Sequence, residues 1–181
     1  MAYKKGSPNT SWTSRVDGEQ KSGKNVYEIA NGAGDWVRSS SSTHTAYVTE
    51  ENTRLGKKLK PLIRFFKAWK YYCNAPIFSF YLELSATKWM EGESSIAYDI
   101  DLCTILKKLH SCSLVAMQDS NGVSGYVVAY ATEAKRADAL SKLATAKTRA
   151  EKAREAERAG KTGEAFDWWG KVFAGNFPSY Y

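Results

Sequence analysis

Cysteine and histidine are scarce in this sequence, and each scarcity excludes something. Three cysteines stand among 181 residues, at Cys73, Cys103 and Cys112. An odd number cannot complete a disulfide framework, and none has metal-ligand spacing, so they read as reduced, buried thiols. The two histidines have no acid or cysteine at a useful distance. His44 lies in a serine and threonine run and reads as a surface or helix-end residue, whereas His110 ends a helical pattern, where the dipole favours a cation. No apolar run approaches the length of a membrane span, so no membrane partner is expected. The opening residues MAYKKGSPNTSW lack the apolar core of a secretory signal, which makes the cytoplasm the expected compartment. Gly32-Ala33-Gly34 has neither a Walker lysine nor a helix start in register, so it is a turn and not a phosphate loop.

What is present supports one core. A chain with 43% hydrophobic residues can bury a single sizeable interior, and its formal charge of +7 favours anionic partners such as nucleotides, RNA or DNA. Residues 1–25 are rich in Ser, Thr, Lys, Gly and Asn and are expected to be poorly ordered or a truncated remnant. From 26 to 181 the pattern is that of one mainly α lobe. Val26 to Ile29 suits a short strand, Asn31 to Asp35 a turn, and Trp36 and Val37 an extended continuation.

The organising stretch runs from Leu59 to Met90. Leu62, Ile63, Phe65, Phe66 and Trp69 recur at i, i+3, i+4 and i+7, the mark of a helix lying on a core. Lys67 falls among these aromatics. A break at Asn74-Ala75-Pro76 precedes a second helix that is apolar from Ile77 to Leu84 apart from Ser79 and Glu83, and Pro76 suits its start. A cation and a hydroxyl at the start of the next helix can together hold a phosphate.

The remaining elements follow from the same patterns. Helices are expected over about 43–53, 55–73, 78–92 and 100–110. Thr43 or Thr49 would cap the first, with Glu50 and Glu51 towards its N-terminal end, and Pro61 would kink or restart the second. From Ser113 to Tyr130, with a turn at Asp119-Ser120-Asn121-Gly122, periodicity reads as a hairpin. The run 133–158 is rich in Ala, Lys, Arg and Glu and free of Gly and Pro, so it predicts a long helix, and Glu164 to Phe173 predicts a last one. The cations from Lys135 to Arg158 alternate with acids, the pattern of a solvated helix laced by i, i+4 pairs.

The stretch 59–90, preceded by GDWVRSSSSTH and followed in order by YDIDL, QDSNGVSGYVV, ALSKLATAKTRAEKAREAE and AFDWWGKVFAGNFPSY, resembles the second, helical lobe of the nucleotidyltransferases related to oligoadenylate synthase and cyclic GMP-AMP synthase. It is most similar to the bacterial enzymes that make cyclic oligonucleotide signals in anti-phage defence. The resemblance covers roughly Tyr27 to Tyr181, and it implies an α-helical lobe in which 113–130 is a loop crossing the helices. It implies that Lys67 and Ser79 contact the phosphates of a nucleoside triphosphate and that Phe80 stacks on its base. Phe78 stands where a second serine is usual. The family uses Mg²⁺ on an Asp-x-Asp pair after a Gly-Ser motif. Asp99-Ile100-Asp101 is the tempting pair, but Met90 to Ser95 lacks that motif, and these aspartates read instead as caps of the following helix. Asp17, followed by Gly18-Glu19-Gln20, lacks the apolar strand expected of the third carboxylate. The catalytic lobe is therefore expected to be missing and the chain to be inactive alone, with no catalytic or metal residue of its own. The alternative is a non-catalytic basic helical module that binds nucleotide, RNA or a partner protein.

Overall fold

In a computed structural model of the chain, residues 27–30, 36–39, 41–119 and 125–180 are described, with side chains from His44 onward. The fold is mainly helical. Strands β1 (Tyr27–Ala30) and β2 (Trp36–Ser39) pair antiparallel, Tyr27 opposite Ser39 and Ala30 opposite Trp36. Then come α1 (Ser41–Arg54), α2 (Leu59–Tyr72), α3 (Ser79–Met90), α4 (Tyr98–Ser111), the short strands β3 (Met117–Gln118) and β4 (Tyr126–Val127), α5 (Glu133–Arg158) and α6 (Thr162–Val172). Residues 1–25, the turn at 31–35 and positions 120–124, on which part of the Asp119–Gly122 turn falls, lie outside the described residues. Among the described residues, no helix is long and apolar enough to cross a membrane.

Several boundaries differ from the sequence expectation. Helix α1 starts at Ser41, so Thr49, Glu50 and Glu51 lie in its body, and Glu51 pairs with Arg54 on the last turn rather than favouring the N-terminus. Helix α2 begins at Leu59 and not near Leu55, because Gly56 and Lys57 both take positive φ and turn the chain. The buried Asn52 spans this break, its Oδ1 accepting from the Lys60 N–H at 2.9 Å. Pro61 then sits in the first turn, where a missing N–H costs nothing. Pro76 does not open α3. It lies in a linker anchored by the buried Ile77, and the Phe78 N–H donates to the Ala129 carbonyl at 2.8 Å before the helix starts at Ser79. Helices α4 and α6 each begin two residues earlier than expected, at Tyr98 and Thr162. Between 113 and 130 the hairpin reading holds over the loop that the resemblance implied: Met117 pairs with Val127 and Gln118 with Tyr126.

The core is one cluster centred on α2. Leu59, Leu62, Ile63, Phe66 and Trp69 are buried along it, each position falling on the face that the 3.6-residue period assigns. Helix α5 contributes mostly alanine: Ala139, Leu143, Ala146, Ala150, Ala153 and Ala156 are buried. Small side chains let its backbone lie close to α4 and α6, its two main neighbours. Its start is fixed by Thr132, whose Oγ1 accepts from the Lys135 N–H at 3.3 Å.

Trp69, 1% exposed, is the largest fully buried side chain. Trp69→Ala is expected to cost about 3–5 kcal/mol, as for other large buried aromatics, much of what a domain of this size has to lose. Chemical denaturation followed by far-ultraviolet circular dichroism measures it; a midpoint equal to the parent's would place Trp69 outside the core.

Candidate functional site

The residues singled out by sequence meet where α1, α2 and α3 converge. On α2, Lys67 and Lys70 are three residues apart and share a face; on α3, Ser79 and Glu83 are four apart and do the same. These faces meet as a two-rung ladder. Lys67 Nζ pairs with Glu83 Oε2, and Lys70 Nζ donates to Ser79 Oγ at 2.8 Å. The cation beside the predicted hydroxyl is thus Lys70, one turn beyond the predicted Lys67. Phe80, adjacent to Ser79, is 37% exposed, with its ring 4.5 Å from that of His44 and tilted by 59°. The structure therefore brings Lys67, Ser79 and Phe80 onto one surface and adds Lys70, Glu83 and His44 to it.

His44 corrects the sequence reading. It lies in the first turns of α1 but is buried, only 9% exposed. Its Nε2 stands 3.4 Å from Glu83 Oε1, an ion-pair distance without hydrogen-bond geometry, and among the described residues neither ring nitrogen has a hydrogen-bond partner. Glu83 is the hub: it faces His44 with one oxygen and Lys67 with the other. The imidazole, and then the Lys67 ammonium, hold its carboxyl down at about 2, against the burial that would raise it. A lone acid in an apolar helical run was the signal for Glu83, and the i, i+3 step from Lys67 was the signal for Lys70. Nothing in the local sequence marked His44, because its burial depends on α3.

The start of α3 is also open. Its N-cap residue is Phe78, which makes no side-chain cap to the first-turn N–H groups. Lysines, a hydroxyl, helix-terminal amides and an exposed ring are the groups that bind a phosphate and an adjoining flat base.

The aspartate pair has a different role. Asp99 and Asp101 are on helix α4, where two positions lie about 200° apart and cannot share a face. Asp99 pairs with Arg154 of α5, and Asp101 Oδ2 accepts from the Ala97 N–H at 2.8 Å, closing the helix start. Asp17 lies outside the described residues. His110 is in the last turn of α4. In the basic run of α5 the expected i, i+4 pairing is met by Lys142 on Asp138, while Arg136 on Glu133 and Arg154 on Glu157 are i, i+3 pairs. Among the described residues, no three His, Cys, Asp or Glu side chains gather as a metal site. Compared with known proteins, the chain matches no family model and no curated sequence.

Acid stability tests the hub. Glu83 has a folded pKa below its ordinary 4.5, so its contribution to stability is complete above about pH 4.5 and is lost as pH falls towards 2. The parent is expected to lose on the order of 2–3 kcal/mol over that window through this group. Glu83→Gln should be less stable at neutral pH and show a flatter acid limb in pH-dependent urea melts. Parallel limbs for the two proteins would remove Glu83 from this role.

Proposed function

We propose that the chain is the helical lobe of a nucleotidyltransferase related to oligoadenylate synthase and cyclic GMP-AMP synthase, and that it forms one wall of a nucleoside triphosphate cleft. The observation that carries this reading is the convergence of Lys67, Lys70, Ser79 and the uncapped start of α3 beside the exposed ring of Phe80. The lysines, the hydroxyl and the helix-terminal amides take the phosphates, where both charge and dipole favour an anion. Phe80 offers a stacking face to the base, an interaction that accepts any base because every base has a π-face.

In that family the reaction joins nucleoside triphosphates into cyclic or linear oligonucleotides and releases pyrophosphate, here as a signal in anti-phage defence. Asp99 and Asp101 do not fit the Mg²⁺ pair of such enzymes, since Asp99 is held by Arg154 and Asp101 by the α4 start. Metal and catalytic carboxylates would come from a lobe outside this sequence, and the present residues bind and orient substrate. The basic module reading draws on the α5 cations, of which Arg136, Lys142 and Arg154 are paired with acids of the same chain.

Isothermal titration of the full-length protein tests the assignment. A charge-assisted contact contributes about 1.5–3 kcal/mol, so Lys67→Ala is expected to weaken ATP binding by roughly one to two decades, and Lys70→Ala to weaken it in the same direction. Phe80→Ala should weaken ATP and adenosine alike, because stacking does not depend on phosphate. Unchanged ATP affinity in both lysine variants, with circular dichroism intact, would sink the phosphate assignment.

A further inference from the structure

His44 is a buried polar group that the fold leaves without a hydrogen bond among the described residues. Such a group costs free energy unless a neighbour makes use of it, and its neighbours are specific. From α3, Glu83 faces Nε2 and Phe80 packs on the ring. From α2, Lys67 stands across the Glu83 carboxylate, while Lys70 is turned to Ser79. On α1 itself, Glu51 is turned away to Arg54. One carboxylate is thus shared by a permanent cation and by a side chain whose charge depends on pH.

Resting on the nucleotide reading above, we propose that Glu83 is an internal stand-in for phosphate: a triphosphate takes Lys67 from Glu83, and His44 takes up a proton to neutralise the carboxylate so released. The charge count requires it. Without ligand, Lys67 and Glu83 cancel. With a phosphate on Lys67, Glu83 keeps a charge in a place where its side chain is only 24% exposed. A carboxylate there is destabilising unless a new counter-ion appears. Imidazole is the side chain that gains a proton within the physiological range, and His44 is already in ion-pair range of the free oxygen. The proton comes from solvent, no bond other than N–H is made, and the charge on the protein's own groups rises by one as the anion arrives. Because Phe80 lies against His44, protonation also acts on the ring that would stack on the base.

Titrating the full-length protein with ATP at about pH 7.5, the upper part of the imidazole range, in buffers of different ionisation heat, counts protons taken up per ligand. The parent is expected to take up more than His44→Gln, a difference in which the ionisation of ATP itself cancels. Glu83→Gln is expected to lose the same uptake but to bind ATP about 3- to 5-fold more tightly, since no ion pair has to be broken. His44→Gln should instead bind more weakly, because Glu83 is left uncompensated. Equal uptake in parent and His44→Gln, or Glu83→Gln binding no tighter than the parent, overturns this mechanism and leaves the nucleotide reading standing. Failure of the parent to bind ATP overturns both. If His44→Gln does not fold, the two readouts of Glu83→Gln decide the question alone.

Discussion

The burial of α2 is the constraint on which the other elements depend. Its apolar stripe, Leu59 to Trp69, is enclosed by α1, α3 and α4. Its C-terminal end reaches α6, where Cys73 Sγ contacts the Val172 carbonyl at 3.4 Å. Off that stripe, Lys60, Arg64, Tyr71 and Tyr72 are exposed and Lys67 and Lys70 are half-buried. Lys67 and Lys70 lie at the border with α3, where they meet Glu83 and Ser79. Their stems lie along apolar surface and their ammonium groups reach the edge.

At that edge, electrostatics takes over from packing. Glu83 lies between buried residues of α3, Leu82 and Leu84, where an isolated carboxylate would be expensive. It is tolerated because two groups share its charge. The same arrangement fixes the Lys67 side chain: the carboxylate that positions the lysine also occupies it.

Much of the fold was legible because its period is strong. The α2 stripe and the gap-free 133–158 run map directly onto α2 and α5, whose bounds follow from helix propensity and from the Thr132 cap. The α1–α2 break was misplaced because two adjacent left-handed residues, one of them Lys57, carry no sequence signature beyond a single glycine. In the hairpin segment, residue preference outweighed family analogy. Of the candidate site, Lys67 was expected beside Ser79, but it pairs with Glu83, and Ser79 pairs with Lys70. That pairing depends on the rotational phase of α2 against α3, which sequence spacing fixes only within each helix. His44 was invisible for a related reason: burial on α1 is decided by what α3 presents to it.

Helix α3 shows how these levels combine. Its body satisfies its own polar groups, with the buried Ser85 and Thr87 hydroxyls donating to the carbonyls of Tyr81 and Glu83 at 2.7 and 2.8 Å. The Tyr81 hydroxyl donates to the Val115 carbonyl at 2.7 Å, tying α3 to the segment that leads into the hairpin. At its first turn the situation reverses: Phe78, Ser79 and Phe80 are exposed and no side chain caps the helix. A rigid, self-satisfied body behind an unsatisfied positive end directs the helix dipole at one point on the surface, the point where the two lysines also arrive. The helix dipole and the two lysine ammonium groups thus carry charge of one sign to the same edge.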